Sequence, residues 1–502
     1  MLERLILCAL GLLVTTARVS TQVAAERPLG SPRILQGPML GAVTPTSVAI
    51  WMRLSAEVPA TIRWATATDP DRWDTSESVV ARRADDRCVT VTLTDLAPAT
   101  DYLWQPLVNG GPDKYLAGLP PFRVTTAPAG AAPLRVAFGS CARFQSDREQ
   151  PIWRSIAAME PDLFLWLGDN IYGDTDDPAV LAEEYRRQRD VASLQPLLRG
   201  VPQLAIWDDH DFGLNNHDRT SPVRNAALTV FRRYWSNPNY GTTTAPGVFF
   251  HLAHSGIDWF FIDCRSYRDP NELPDGPGKT MLGSEQLEWL KRGLAASSSP
   301  FKLIVSGSGW SAAKGSGGDS WASYRTERNA LFDWIMANGI DGVVLVSGDT
   351  HVGELNCIPR SDDGGYDLYD LVSSPLAQLP ETSWMTRRPE LRIRNVFARS
   401  ENFGVLDIDA TRADPTLRFT LFDIRGREAF APLELRASEL KPGVRTWDTK
   451  ASPGLRNQRV QETPGRRQPA SLNLRPRGLS ATHAPRGHSR CRCRPGSRRP
   501  PR

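Results

Sequence analysis

Leu163-Phe164-Leu165-Trp166-Leu167-Gly168-Asp169-Asn170-Ile171-Tyr172 is the stretch on which the fold turns. Five consecutive apolar residues with no polar break read as a strand buried on both faces, the kind found in parallel or mixed sheets covered by helices. The run stops at Gly168, whose conformational freedom permits a tight turn off the sheet. The first side chain released is Asp169. Ligands of open α/β sheets bind outside the carboxyl ends of the strands, so an acid delivered there is placed for chemistry.

The same arrangement recurs along the chain. Leu134–Phe138 is followed by Gly139-Ser140-Cys141, Gln203–Trp207 by Asp208-Asp209-His210-Asp211, and Trp259–Ile262 by Asp263-Cys264-Arg265. Gly342–Val346 leads through Ser347 into Gly348-Asp349-Thr350-His351, and Leu303–Val305 reads as a further strand. Between these runs, Pro151–Glu160, Ala179–Arg189, Pro222–Trp235, Ser284–Ala296 and Glu327–Asn338 have helical patterning. Strand–helix alternation makes residues 133–435 a layered α/β domain, closed by the strands Phe403–Ile408 and Leu417–Asp423.

Residues 32–127 read differently. Short alternating segments such as Ser47–Trp51, Ala60–Trp64 and Val89–Leu93, separated by turn residues, predict an all-β sandwich. Leu96–Tyr102 is similar to the tyrosine corner of fibronectin type III domains, and Pro128–Pro133 reads as a linker.

The chain has 502 residues, 40% hydrophobic and 23% charged, which suits two or three folded domains. Its net charge of +4 conceals an asymmetry, because residues 451–502 carry 13 Arg against the single acid Glu462 and leave the rest net acidic. An acidic body argues against a dedicated nucleic-acid-binding domain and suits an enzyme that gathers cations. Residues 441–502, rich in Arg, Pro, Gly and Ser, predict a disordered basic tail. Arg4, the apolar run Leu5–Val14 and the small residues Val23-Ala24-Ala25 predict a signal peptide over residues 1–25 and a secreted, extracytoplasmic protein. The alternative is a short membrane anchor or a misplaced start. Of seven cysteines, Cys88, Cys141, Cys264 and Cys357 fall in the body, at spacings that form neither a disulfide framework nor zinc-ligand pairs.

Asp169, Asp209, Asp211, Asp349 and His351 are oxygen and imidazole donors suited to metal ions. Crowded carboxylates in a partly buried site need cations to offset their repulsion. Cys141 and Tyr172 add thiolate and phenolate donors, which favour trivalent iron over magnesium. Phe212, Trp310 and Trp321 are candidates for an apolar approach to the site.

Taken in order, Gly-Ser-Cys, Gly-Asp-Asn-Ile-Tyr, Trp-Asp-Asp-His-Asp followed by Asn215-Asn216, Asp-Cys-Arg and Ser-Gly-Asp-Thr-His resemble the alkaline phosphatase D family of metallophosphoesterases. The resemblance spans Leu134 to about Arg425 and includes the preceding β-module. It implies a four-layer αββα metallophosphatase core, ferric iron with calcium or another divalent cation, and hydrolysis of phosphate mono- or diesters by a metal-bound hydroxide. Purple acid phosphatases are more distant relatives. Carried over, it makes Asp169 the bridging ligand, completes an iron site with Cys141, Tyr172 and His351, and gives the second cation Asp349 with Asn216 or Asp209. It leaves His210 as either ligand or proton donor and gives the phosphate fork to Arg265, or to Arg143 as second candidate, with neutralisation of Asp263 as the alternative role for Arg265. The implied partner is a phosphate-ester substrate (small molecule, nucleotide or phospholipid). No stable nucleic-acid complex is expected, membrane contact would be transient, and the chain would be a monomer. A phospholipase-D-like diesterase is the alternative activity.

Overall fold

The computed structural model describes residues 30–311, 318–383 and 392–455. The expected leader, residues 1–25, and most of the expected tail lie outside the described residues.

Two mixed six-stranded sheets carry the body of the chain. One runs in the order Gln203–Ile206, Leu163–Leu167, Pro133–Gly139, Asn402–Asp409, Thr416–Asp423, Leu433–Arg436, with the first three strands parallel and the last three added antiparallel. The other runs Phe250–His254, Ile257–Phe261, Lys302–Ser306, Val343–Ser347, Leu368–Val372, Glu354–Ile358, with four central parallel strands and antiparallel edges. The parallel strands are the continuous apolar runs of the sequence, and Leu163–Leu167 is buried at every position. Pro178–Arg189, Arg224–Tyr234, Gly283–Ala296 and Arg325–Ala337 are the main helices, each within a few residues of its sequence expectation. Pro151–Glu160 shortens to Ile152–Ala157, since Glu160 takes a left-handed conformation that turns the chain into the next strand.

Register decides where the functional side chains emerge. Gly139 pairs with Trp166 and Leu167 with Ile206, so three neighbouring strands end in line. Ser306 pairs with Ser347 in the other sheet. Glycines let the rims of the two sheets touch. A Cβ on Gly307 would lie 2.9 Å from the Trp207 carbonyl oxygen, and one on Gly348 would lie 2.6 Å from Ser140 Cβ.

Residues 34–125 form two antiparallel sheets, one of Ile34–Val43, Val48–Leu54 and Cys88–Leu93, the other built on Pro59–Thr66, Asp101–Val108 and Phe122–Thr125. Leu40, Ile50 and Met52 of the first share a hydrophobic cluster with Ile62, Trp104 and Val124 of the second. The Tyr102 hydroxyl accepts a hydrogen bond from the Ala97 amide at 2.8 Å, closing the corner. This module is joined tightly to the body. Trp51 Nε1 donates to the Arg233 carbonyl at 2.6 Å, and the Asp86 carboxylate accepts from Arg53, Arg186 and Tyr234.

The sequence places the start of the tail at residue 441, and the structure moves it outward. Asp367 accepts from the backbone amides of Thr446 and Trp447 at 2.9 and 2.8 Å, and Trp447 is buried. One indole, one buried carboxylate and polar contacts such as that of Tyr369 Oη with Thr446 Oγ1 hold this segment, too little apolar content to show as periodicity. The four body cysteines are buried, and among the described residues they form no disulfide. No described helix is long and apolar enough to cross a membrane.

Candidate metal centre

The carboxyl ends of the parallel strands bring four unlike donors together. Cys141 Sγ lies 3.3 Å and Tyr172 Oη 3.4 Å from Asp169 Oδ2, and Tyr172 Oη lies 3.2 Å from His351 Nε2. Ligand atoms of Cys141, Asp169 and His351 lie within 4.8 Å of one another, and so do those of Asp169, Asp209 and His210. Asp169 belongs to both trios and is the one residue they share. Its Oδ1 is buried without a hydrogen-bond partner.

Backbone conformation shows how much of the local structure serves this arrangement. Cys141, Asp169, Asn216, Asp349 and His351 have φ of 63°, 49°, 61°, 66° and 52°. Left-handed conformations at non-glycine residues cost free energy and cluster at sites where surrounding structure holds them. The turn at Gly168, itself at φ +94°, brings the Asp169 loop onto Asp208, where a Cβ would come within 2.6 Å of Asp208 Cβ.

The electrostatics fit cations. Burial, with Asp209, Asp208 and Asp211 adding repulsion, raises the Asp169 carboxyl well above its usual range despite the opposing His210 charge. Burial likewise raises the Cys141 thiol and the Tyr172 phenol. A metal ion supplies the positive charge that reverses such shifts and deprotonates a coordinating thiol. Orphaned carboxylate oxygen, buried sulfur, phenol and imidazole together match a metal centre.

Asp209 faces this centre, its Oδ2 accepting the Asn216 amide at 2.7 Å. Asn216 contributes that backbone amide, while its residue stands exposed on the rim. The Asp349 amide donates to Ser140 Oγ at 3.0 Å, and the Asp349 charge acts on both Cys141 and Asp208. Burial lowers the His210 imidazolium, but Asp169, Asp209 and the hydrogen-bonded Asp174 outweigh it and raise its pKa to about 10. Its ring lies 4.1 Å from that of Tyr172.

Several expectations change. Asp211 spends its oxygens internally, accepting the Asn170 and Asp208 amides at 3.1 and 3.2 Å and the Tyr185 hydroxyl at 3.0 Å. It shapes the two acid-bearing loops and belongs to neither trio of candidate ligands. Arg265 is fully buried and its guanidinium is held by Asp208 and Asp319, so neither a phosphate fork nor neutralisation of Asp263 describes it here. Asp263 instead takes the Trp207 indole and the Val248, Arg265 and Ser266 amides. Arg143 is half-buried with its guanidinium carbon 5.1 Å from the Tyr172 ring centre, and its Nε has no partner. Phe212, Trp310 and Trp321 are fully buried and pack the core, so they line no approach.

Four residues at the centre carry no role in the sequence reading. Ser140 and Ser374 place their hydroxyls 3.3 Å from Cys141 Sγ, Asp174 holds His210, and Asp319 holds Arg265. Ser140 lies inside a recognisable motif. The other three lie in loops with no local signature.

Two mixed sheets that deliver carboxylate, thiol, phenol and imidazole to one rim define the metallophosphatase class. Residues 136–418, more than half of the chain, match the PhoD-like phosphatase family, and the chain belongs to that family. Alkaline phosphatase D of Bacillus subtilis (strain 168) is 24% identical over 276 residues, 45% of this chain and 47% of that protein, so the chain spans about half the length of this curated relative. The solved structure of PhoD matches with a TM-score of 0.62 at 16% identity, over 85% of this chain and 97% of that one. Purple acid phosphatase PPD1 from yellow lupin (Lupinus luteus) seeds matches with a TM-score of 0.56 at 11% identity, over 81% and 74%. At these identities the two structures speak for the fold.

Proposed function

We propose that this protein is an extracytoplasmic, metal-dependent phosphoric-ester hydrolase with monoesterase and diesterase chemistry, built on a four-layer αββα core. In this reading the two N-terminal sheets are a fibronectin-III-like brace for the catalytic domain, and ferric iron and calcium are the resident ions. The observation that carries the reading is the convergence of Cys141, Asp169, Tyr172 and His351 beside Asp209 and His210.

Cys141, Tyr172 and His351 would hold one ion, Asp209 and Asp349 would serve the second, and Asp169 would join them. When bound, the ions supply Lewis-acid polarisation of the phosphoryl group and activate water for in-line attack. The remaining work falls to the chain's own residues. Asp174 engages His210 Nδ1, which leaves Nε2 to carry a proton toward the leaving ester oxygen. The charge of His210 also offsets that of Asp169 and Asp209. Arg143, unpaired and beside Tyr172, is the guanidinium available to phosphoryl oxygens. Arg265 acts through Asp208 and lies 3.7 Å from Asp209, fixing the acids rather than the substrate. Ser374 donates to Cys141 Sγ, and the Ser140 hydroxyl lies at the same 3.3 Å, so both would stabilise its thiolate.

A second reading, cleavage of phospholipid diesters, is favoured by Leu379, 77% exposed. Leu379 lies between Ala377, whose amide bonds the Cys141 carbonyl, and Glu381, whose amide bonds that of His351.

The test compares kcat/KM for an aryl phosphate monoester and the matching diester, with iron and calcium supplied and after chelation. Metal-dependent turnover supports the assignment, and the ratio chooses between phosphate release and diester cleavage. Absence of metal-dependent turnover on both esters overturns it.

A further inference from the structure

The β-module grips the body through Asp86, and the chain is bent to present it. Asp86 and Arg87 both take left-handed conformations, with φ of 53° and 59°, a strain that surrounding structure has to hold. The Asp86 carboxylate accepts from Arg186 Nη1 at 2.6 Å and from the Tyr234 hydroxyl. Arg186 lies in the helix Pro178–Arg189, and Tyr234 ends the helix Arg224–Tyr234. Both contacts lead to one side chain, that of Tyr185. Tyr185 is the chain neighbour of Arg186, and its ring stacks on that of Tyr234 with centres 5.1 Å apart and planes 15° apart. Tyr185 is buried, so its hydroxyl needs a partner inside the protein. That partner is Asp211 Oδ1, at 3.0 Å. The other oxygen of Asp211 accepts the amides of Asn170 and Asp208, at 3.1 and 3.2 Å. Asn170 follows Asp169 and Asp208 precedes Asp209, so one carboxylate ties together the loops of two candidate ligands. Covering apolar surface would not require a strained acid aimed at the two helices that carry this tyrosine pair.

We propose that the β-module is part of the support of the metal centre, acting through Asp86, the stacked Tyr234–Tyr185 pair and Asp211 to hold the Asp169 and Asp209 loops at their working separation. Asp86 and Tyr185 are positioning residues that act through Asp211. The proposal rests on the metal-centre reading for what the two loops hold. It predicts more than tight packing does: a change at Asp86, in the β-module, is felt at the Asn170 and Asp208 amides, and it is felt through Tyr185. Coupling of this kind is demonstrated by non-additivity of substitutions rather than by proximity.

The experiment uses the full chain loaded with iron and takes calcium as the probe, with affinity measured by titration calorimetry and ester turnover followed alongside. Tyr185→Phe keeps the stacked ring and removes only the hydroxyl, and it is expected to weaken calcium binding by about tenfold, the effect of one hydrogen bond to a charged group. Asp86→Asn is expected to weaken it by about threefold, a smaller effect because one charge-assisted contact is weakened at a distance. The double variant is expected to bind calcium as Tyr185→Phe does, and multiplication of the two effects overturns the proposal. Ile62→Val, in the hydrophobic core of the β-module, is the control. It is expected to lower stability and leave calcium affinity unchanged, and a loss equal to that of Asp86→Asn reduces Asp86 to a structural role. A second measurement needs no metal. In the metal-free chain, Asp86→Asn is expected to speed hydrogen exchange of the Asn170 and Asp208 amides beyond wild type and Ile62→Val, and unchanged exchange there overturns the proposal. This measurement decides the matter should Tyr185→Phe fail to fold. If exchange responds while the wild type shows neither calcium binding nor ester turnover, the coupling stands and the hydrolase reading falls. If the wild type hydrolyses esters with its metals and neither affinity nor exchange responds to Asp86→Asn, the reverse holds.

Discussion

Replacing Gly168 with Ala tests how the strand end builds the centre. Gly168 sits at φ +94°, and its Cβ would lie 2.6 Å from Asp208 Cβ and 2.8 Å from the Asp208 nitrogen. The left-handed conformation costs an alanine about 1–2 kcal/mol. The clash is with Asp208 Cβ and with backbone atoms, none of which moves without the chain, and overpacking of this kind costs about 1–3 kcal/mol more. Gly110 supplies the control, with φ +80° and nothing within 4 Å of its Cβ, so Gly110→Ala carries only the first cost. Gly168→Ala is therefore expected to lose about 2–5 kcal/mol and Gly110→Ala about 1–2 kcal/mol. Moving the 2.6 Å contact even to 3.0 Å separates the Asp169 turn from Asp208-Asp209 by about 0.4 Å. Metal affinity should then fall by about tenfold or more, as when the groups supporting a ligand are disturbed. Denaturant unfolding of both variants and a metal titration of each give the comparison. Equal destabilisation of the two variants, with unchanged metal affinity in Gly168→Ala, would refute the claim that close approach at this glycine sets the metal spacing.

The other predictions concern the site and the brace. Arg143→Ala should raise KM for phosphate esters by about tenfold while metal content stays constant, because one charge-assisted contact is lost; elemental analysis beside steady-state kinetics checks both halves. Tyr172→Phe should remove the phenolate-to-iron part of the visible absorption of the iron-loaded protein, and a spectrum unchanged from wild type would take the phenol out of the ligand set. Asp86 joins the β-module to the body, and although burial opposes it, Arg53 and the other donors lower its pKa to about 2. A depressed carboxyl stabilises the fold above its unfolded pKa of about 4 and loses that contribution as pH falls through about 2. Asp86→Asn should therefore be less stable than wild type at pH 7, with the gap closing below pH 4, as read from unfolding midpoints across pH.

Much of this architecture is legible in the chain because its parallel strands are buried on both faces. Leu163–Leu167 needs no periodicity argument, and the Gly-Asp that follows marks where the strand stops and a candidate ligand begins. Cys141, Asp169, Tyr172, Asp209 and His351 are visible for the same reason, each lying just past an apolar run. The roles of arginines are less legible, since a guanidinium reaches far and its partner is set by tertiary structure. Arg265 follows Asp263 in sequence, yet it turns to Asp208 and to Asp319, 54 residues onward. Asp211 looks like its neighbours Asp208 and Asp209, and only the positions of the Asn170 amide and Tyr185 hydroxyl make it structural. Aromatic residues mislead similarly, because Phe212, Trp310 and Trp321 follow polar motifs but point into the core. The last described segment escapes notice because Asp367 and one indole anchor it rather than a repeating apolar face.

The central claim is that Asp169 lies between two metal ions that the chain needs for phosphoester hydrolysis. The most direct measurement is the metal content per chain of wild type and Asp169→Asn, each checked for folding and for aryl phosphate turnover. The account predicts about two ions per wild-type chain, at most one in the variant, and loss of turnover in a folded protein. A folded Asp169→Asn chain that holds the wild-type complement of metal and turns over at the wild-type rate would contradict it.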